Sequence, residues 1–199
     1  MTKKVLVLLA EGFEEVEAVT PIDYLRRAGI EVQVVSIACK DGTLQVQGSH
    51  GLVILADCSL QELAKEGSVS AASWDGVLLP GGMPGATHLA ASETVSALVY
   101  AMAAAGKLVA AICASPAVVL FPLGLLQGRG FTCFPGMEAK VSGARWEEEA
   151  VVRDGNIITS RGAGTAGLWA KEIIAYLTDP DTAQKIASSV LLPPAPQGV

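Results

Sequence analysis

Six apolar residues in a row, Val5-Leu6-Val7-Leu8-Leu9-Ala10, lead straight into a polar turn, Glu11-Gly12-Phe13. A strand with one wet face alternates apolar and polar residues. This one does not, so both of its faces must be covered, as in a parallel sheet held between two layers of helices. The pattern returns at Val77-Leu78-Leu79, which stops at Pro80-Gly81-Gly82, and at Leu108-Val109-Ala110-Ala111-Ile112, which stops at Cys113. Apolar residues make up 51% of the 199, enough for one sizeable core without disulfides or metals.

Helical segments separate these strands. Glu14 to Ala28 reads as a helix with Glu14, Glu15 and Glu17 in its first turn, where the helix dipole favours carboxylates. For Glu14 and Glu15 a surface role at the dipole suffices. Pro21 is predicted to kink this helix and Gly29 to end it. Ser92 opens a helix to about Ala105, and Thr165 to Leu177 carries an apolar stripe at Trp169, Ile173, Tyr176 and Leu177. Strands alternating with helices imply right-handed crossovers and a doubly wound, mostly parallel sheet with helices on both faces.

The other segments fit around that plan. Glu31 to Ala38 reads as the second strand, and Asp41 to Asp57 as a hairpin or edge excursion. Ser59 caps a short helix ending near Gly67, and residues 67–73 form a small-residue linker. Further strand signals fall at Gly130–Cys133, Ala150–Val152 and Ile157–Ser160, the last two joined by an Arg153-Asp154-Gly155-Asn156 turn. Asp179-Pro180 starts a final helix to about Val190. A single domain is expected over residues 1–191, with a flexible Pro-rich tail over 192–199.

Composition excludes several classes. A net charge of −6 leaves no electrostatic footprint for nucleic acid or anionic membrane. No apolar run reaches the roughly 18–20 residues of a membrane span. The first strand begins at about Lys4, leaving no room for a signal peptide. Cys39, Cys58, Cys113 and Cys133 form no C-x-x-C pair and have no His at ligand spacing, so no metal site is expected, and no cofactor. Reduced thiols in the cytoplasm are the economical reading.

In doubly wound sheets, sites form beyond the carboxyl ends of strands. That directs attention to residues 11–17, 80–85, 113–116 and 161–165. Cys113 ends a buried strand and precedes Ala114-Ser115-Pro116, where Pro suits a first helical turn. A thiol there is presented by a sharp turn, and a following helix N-terminus together with nearby N–H groups lowers its pKa below the usual value of about 8.5. The alternative is that Cys113 is a small core residue, since free Cys is often buried. Glu17 lies one helical turn beyond the first strand, at the same edge. Pointing inward, it would be protonated and donate to the thiolate.

Several runs carry a family resemblance. They are Leu8-Leu9-Ala10-Glu11-Gly12-Phe13-Glu14-Glu15-Val16-Glu17, Pro21-Ile22-Asp23, Arg26-Arg27-Ala28-Gly29, Leu79-Pro80-Gly81-Gly82, Ala110-Ala111-Ile112-Cys113-Ala114 and Thr159-Ser160-Arg161-Gly162-Ala163-Gly164-Thr165. In this order they resemble the ThiJ/PfpI superfamily, in the branch holding a human Parkinson-disease protein and bacterial ThiJ relatives. The resemblance implies a flavodoxin-like homodimer, with Cys113 reactive and Glu17 its protonated partner. It implies that Gly81, Gly82 and Ala114 frame the pocket with backbone N–H groups. It also implies that Arg27 lies near the dimer interface, reaching the neighbouring subunit's site, and that Asp23 supports that interface. His50 falls where other members carry an Arg near the interface, and unlike Arg it titrates near neutral pH. Phe134 stands where several members place a His beside the cysteine. His88 reads as a solvent-exposed loop residue, Cys133 as a core residue at a strand end, with a resolving thiol the lesser alternative.

Three functions compete. A Cys–Glu pair suits thiolate addition to a small reactive aldehyde, the glyoxalase-type or deglycase-type activity attributed to the family. A redox sensor or chaperone would use oxidation of Cys113 to sulfinate. A cysteine hydrolase needs a Cys–His pair, against which Phe134 argues.

Overall fold

The computed structural model describes residues 2–37 and 43–194. The chain runs through β1 (Lys4–Leu9), α1 (Glu15–Arg27), β2 (Glu31–Ser36), β3 (Gln45–Gln47), β4 (Val53–Leu55), β5 (Cys58–Ser59), α2 (Leu60–Lys65) and β6 (Gly76–Leu79). It continues through α3 (Gly85–Ala91), α4 (Glu93–Ala104), β7 (Leu108–Ile112), β8 (Gly130–Phe131), β9 (Arg145–Trp146), β10 (Val151–Asp154), β11 (Ile157–Ser160), α5 (Ala166–Leu177) and α6 (Pro180–Ser189). The central sheet has the order β10-β11-β7-β6-β1-β2-β5. Every pairing in it is parallel except β10 with β11 at one edge.

The apolar runs divide between two cores because successive side chains point to opposite faces. Val5, Val7 and Leu9 of β1, with Leu108, Ala110 and Ile112 of β7, meet Leu25 of α1 and Trp169, Ile173 and Leu177 of α5. Leu6, Leu8, Val109 and Ala111 pack on the other side with Leu63 of α2, Leu89 of α3 and Leu98 and Met102 of α4. This is the flavodoxin-like plan expected from the sequence. From β1 the chain steps to β2 on one side and later returns to β6 on the other, so a crevice opens at the carboxyl ends of β1 and β6.

Local chemistry explains the element ends. Glu14 caps α1, accepting from the Glu17 N–H at 2.7 Å, and α1 runs on through Pro21. Ser59 and Glu62 form a reciprocal capping box at α2, and Ser92 caps α4. The expected excursion is an antiparallel hairpin, β3 with β4, set over the β1–α1 loop by Gly12 N–H to Gln47 O and Ser49 N–H to Phe13 O, both 2.8 Å. Part of that segment, with Cys39, lies outside the described residues.

Two stretches differ from the sequence reading. Residues 85–91 form α3 where a loop was expected, because Pro84-Gly85 reads as a turn yet serves as a helix start. After Cys113 the chain makes only a five-residue π-helical turn, Pro116–Leu120. At the C-terminal end Leu192 donates its N–H to Ala187 O at 2.9 Å and lies against Gly167. Residues 195–199 of the expected tail fall outside the described set. No helix among the described residues is long and apolar enough to cross a membrane.

Candidate active site

Three chain segments converge beyond the strand ends. Cys113 follows β7 with φ of 63°, a left-handed conformation that strains a residue bearing a Cβ. Backbone bonds hold it there: its N–H donates to Ser160 O at 3.0 Å, and its carbonyl accepts from the Phe134 N–H at 2.9 Å. Ser115 Oγ donates to Pro80 O at 2.6 Å, tying the cysteine turn to the Pro-Gly-Gly turn after β6. That turn is tied in its own right to α1, because the Glu14 N–H donates to Gly81 O at 3.0 Å.

Glu17 reaches this junction from α1 and is 1% exposed. Its Oε2 accepts the Gly81 N–H at 2.8 Å, and its carboxyl is hydrogen-bonded to Cys113. The N–H groups of Gly82 and Ala114 reach the Cys113 thiol. Only glycine fits at position 81: a methyl group there would stand 2.6 Å from Cys113 Cβ and 2.7 Å from Glu17 Oε2. Gly82 takes φ of +85°, and a side chain on it would collide with the Glu14 nitrogen. The structure thus brings together Cys113, Glu17, Gly81, Gly82 and Ala114.

The pair titrates as one unit. Burial pushes Glu17 up to about 7. Burial, followed by the charge of Glu17, pushes Cys113 up to about 12. Between these steps the pair holds one proton. The expected lowering of the thiol by a helix N-terminus and nearby N–H groups is corrected: burial and Glu17 raise it instead, outweighing the N–H groups of Gly82 and Ala114, and the helical turn that follows is only five residues long.

Other candidates lie apart from the sulfur. Glu15 is 4% exposed, not a surface carboxylate; it accepts from the His50 N–H at 2.6 Å and pairs with His50 Nδ1 at 2.8 Å. His50 thereby clamps the hairpin tip to α1. Glu14, Glu15 and His50 hold atoms within 4.8 Å of one another that are capable of binding a cation. Both oxygens of Glu15 are already engaged by His50 and Ser49. His88 stands on α3, not in a loop, and its Nδ1 lies 2.9 Å from Glu11 O. Arg27 and Asp23 pair with each other at 2.6 Å on the exposed side of α1. Cys133 is fully buried in the core layer opposite the one that Cys113 packs against, which disfavours the resolving-thiol alternative. The sequence reading missed the lacing by Glu14 and the two histidine contacts, each of which depends on loops meeting in space.

A doubly wound sheet with a strained cysteine at one strand end and a buried carboxyl beside it defines a class of α/β proteins. Within that class the chain matches the DJ-1/PfpI family over residues 3–176, and it belongs to this family. It is 38% identical over 193 residues to the Parkinson disease protein 7 homolog of Danio rerio, covering 96% of this chain and 97% of the relative. It is 33% identical over 177 residues to a deglycase of Pyrococcus abyssi, covering 87% of this chain and 99% of that one. The solved structure of oxidized DJ-1 from Toxoplasma gondii is similar with a TM-score of 0.88 and 39% identity, over 96% of this chain and 98% of that one.

Proposed function

We propose that this protein acts on small reactive aldehydes, as a glyoxalase or deglycase does, through Cys113 and Glu17. The observation that carries the reading is the buried Glu17 carboxyl, hydrogen-bonded to Cys113 and raised to about 7. Its likeness to a protein named as a deglycase supports the same reading. The Cys113 sulfur adds to the aldehyde carbon of a 2-oxoaldehyde, and the carbonyl electron pair takes the proton held by Glu17. This leaves a hemithioacetal and an ionised Glu17. Glu17 then moves the proton from the former aldehyde carbon to the neighbouring carbon while the hemithioacetal hydroxyl proton passes to the neighbouring oxygen, giving a 2-hydroxy thioester. Water releases the 2-hydroxy acid and the thiol. N–H groups of Gly82 and Ala114 offer charge stabilisation along this path.

Oxidation is the second reading. The N–H groups and the Glu17 proton that suit a thiolate suit a sulfinate equally, and one similar solved structure is described as oxidized. Hydrolysis of amides ranks below both, because Phe134 stands beside Cys113 where a base would be needed. A homodimer is proposed on the apolar side chains left exposed on α1, Val16 and Val19, and on the hairpin segment, Leu52, Val53 and Leu55. Free thiols at Cys58, Cys113 and Cys133 suit a cytoplasmic protein.

Incubation with methylglyoxal, without added thiol, tests the aldehyde reading. Lactate should accumulate with wild-type protein and not with Cys113→Ala; equal formation by both would end the proposal.

A further inference from the structure

Gly162 leaves an opening that neither backbone nor crowding requires. It begins the loop after β11 with φ of 170° and ψ of −170°, extended backbone that any residue adopts. A methyl group there would stand 3.6 Å from Phe134 Cδ2 and 3.9 Å from Glu17 Oε1, ordinary contact distances. Gly81 and Gly82 differ, since a side chain on either one collides. The missing side chain at 162 leaves a slot between the ring of Phe134 and one oxygen of Glu17 that a methyl group would fill at contact distance. That oxygen is Oε1, because Oε2 is held by Gly81.

Phe134 borders this slot. Its N–H is bonded to the Cys113 carbonyl, yet it is 50% exposed. An aromatic ring half in water beside a strained cysteine presents a free apolar surface within reach of anything bonded to the sulfur. An aldehyde carbon on Cys113 with its oxygen toward the Glu17 proton would carry its substituent past Oε1, into this slot.

We infer that the slot between Gly162 and Phe134 holds the substituent of the substrate, and that these two residues set specificity for 2-oxoaldehydes bearing a flat apolar group over those bearing hydrogen. The inference rests on the aldehyde reading of Cys113. A flat ring gains an offset or edge contact with Phe134. A methyl at 162 would take up the space that the ring needs, and misfits of this size discriminate by tenfold or more.

The test has two arms, and one needs no turnover. In the first, N-phenylmaleimide and N-methylmaleimide are added to wild type, Gly162→Ala and Phe134→Ala, and the labelling rate of the Cys113 peptide is read by mass spectrometry. The sulfur adds to one alkene carbon of the maleimide and a proton to the other. Relative to wild type, the phenyl-to-methyl rate ratio should fall about tenfold in Gly162→Ala and about threefold in Phe134→Ala. In the second arm, the ratio of kcat/KM for phenylglyoxal to that for glyoxal should fall in the same order. Near-ultraviolet circular dichroism confirms folding, and the exposed Phe134 keeps a second variant in hand should Gly162→Ala not fold. Ratios within twofold of wild type in both variants would overturn the slot. Falling maleimide ratios without any aldehyde turnover would keep the slot and sink the aldehyde reading. Cys113-dependent turnover with unmoved ratios would do the reverse.

Discussion

Cys113 and Cys133 are neighbours in the fold, their turns joined by the bond from Phe134 N–H to the Cys113 carbonyl, yet their surroundings differ in kind. Cys133 lies sealed in the core layer formed with α2, α3 and α4, where burial pushes its thiol up to about 11. Its thiol donates to the Phe134 carbonyl at 3.5 Å. Burial raises Cys113 as well, but there the thiol also meets two backbone N–H groups and a carboxyl that shares its proton. On the proposed reading, reactivity at Cys113 follows from partners and a strained turn, not from being a cysteine at a strand end.

The largest expected effect breaks the comparison outright. Cys113→Ala should reduce lactate formation from methylglyoxal to the uncatalysed background, while Cys133→Ala should leave it within about twofold, since nothing of Cys133 faces the site. Substantial loss in Cys133→Ala with a native melting profile would show that the second thiol takes part.

Peroxide should separate the two thiols next. Mass spectrometry of the folded protein should find two added oxygens on the Cys113 peptide and none on the Cys133 peptide, because oxidation follows thiolate character and access. Equal oxidation at both positions would contradict the assignment.

Glu17 supplies a stability signature that Cys133 lacks. Its folded pKa, about 7, lies above the ordinary 4.5, so the native state keeps a proton that the unfolded chain has released. The stabilisation is complete below about 4.5 and is lost as pH rises through about 7, on the order of 3 kcal/mol. Glu17→Gln should flatten this dependence in denaturant unfolding at pH 5 and pH 8, whereas Cys133→Ala should preserve it. Parallel curves for wild type and Glu17→Gln would place the charge elsewhere.

Much of this was legible in the chain and some was not. Unbroken apolar runs announced β1, β6 and β7, because only a doubly covered strand tolerates them, and Cys113 stood out as the residue that ends one. Glu17 stands out by its place one turn past β1. Residues whose role depends on loops meeting were hidden. Glu15 looked like a surface carboxylate until the hairpin brought His50 onto it at 2.8 Å, and His88 looked free until α3 placed it against Glu11. The length of the helical turn after Cys113 was also hidden, since Pro116 promises a start and says nothing of an end.

A smaller effect is expected from Phe134→His. A half-exposed side chain outside the core should exchange with little change in stability, within about 0.5 kcal/mol. The wild type should show negligible peptidase activity, lacking a base beside the sulfur. Robust peptide hydrolysis by wild type, lost in Cys113→Ala, would promote the hydrolase reading.

The shared proton of Cys113 and Glu17 is the central claim, and the pH dependence of Cys113 alkylation by iodoacetamide tests it most directly. The wild-type rate should rise with a midpoint near 7. In Glu17→Leu, which offers no donor or proton, the midpoint should move to or above the ordinary thiol value of about 8.5, with Glu17→Gln in between because its amide still donates. A wild-type midpoint at or above about 8.5, unchanged in Glu17→Leu, would show that the pair does not exist.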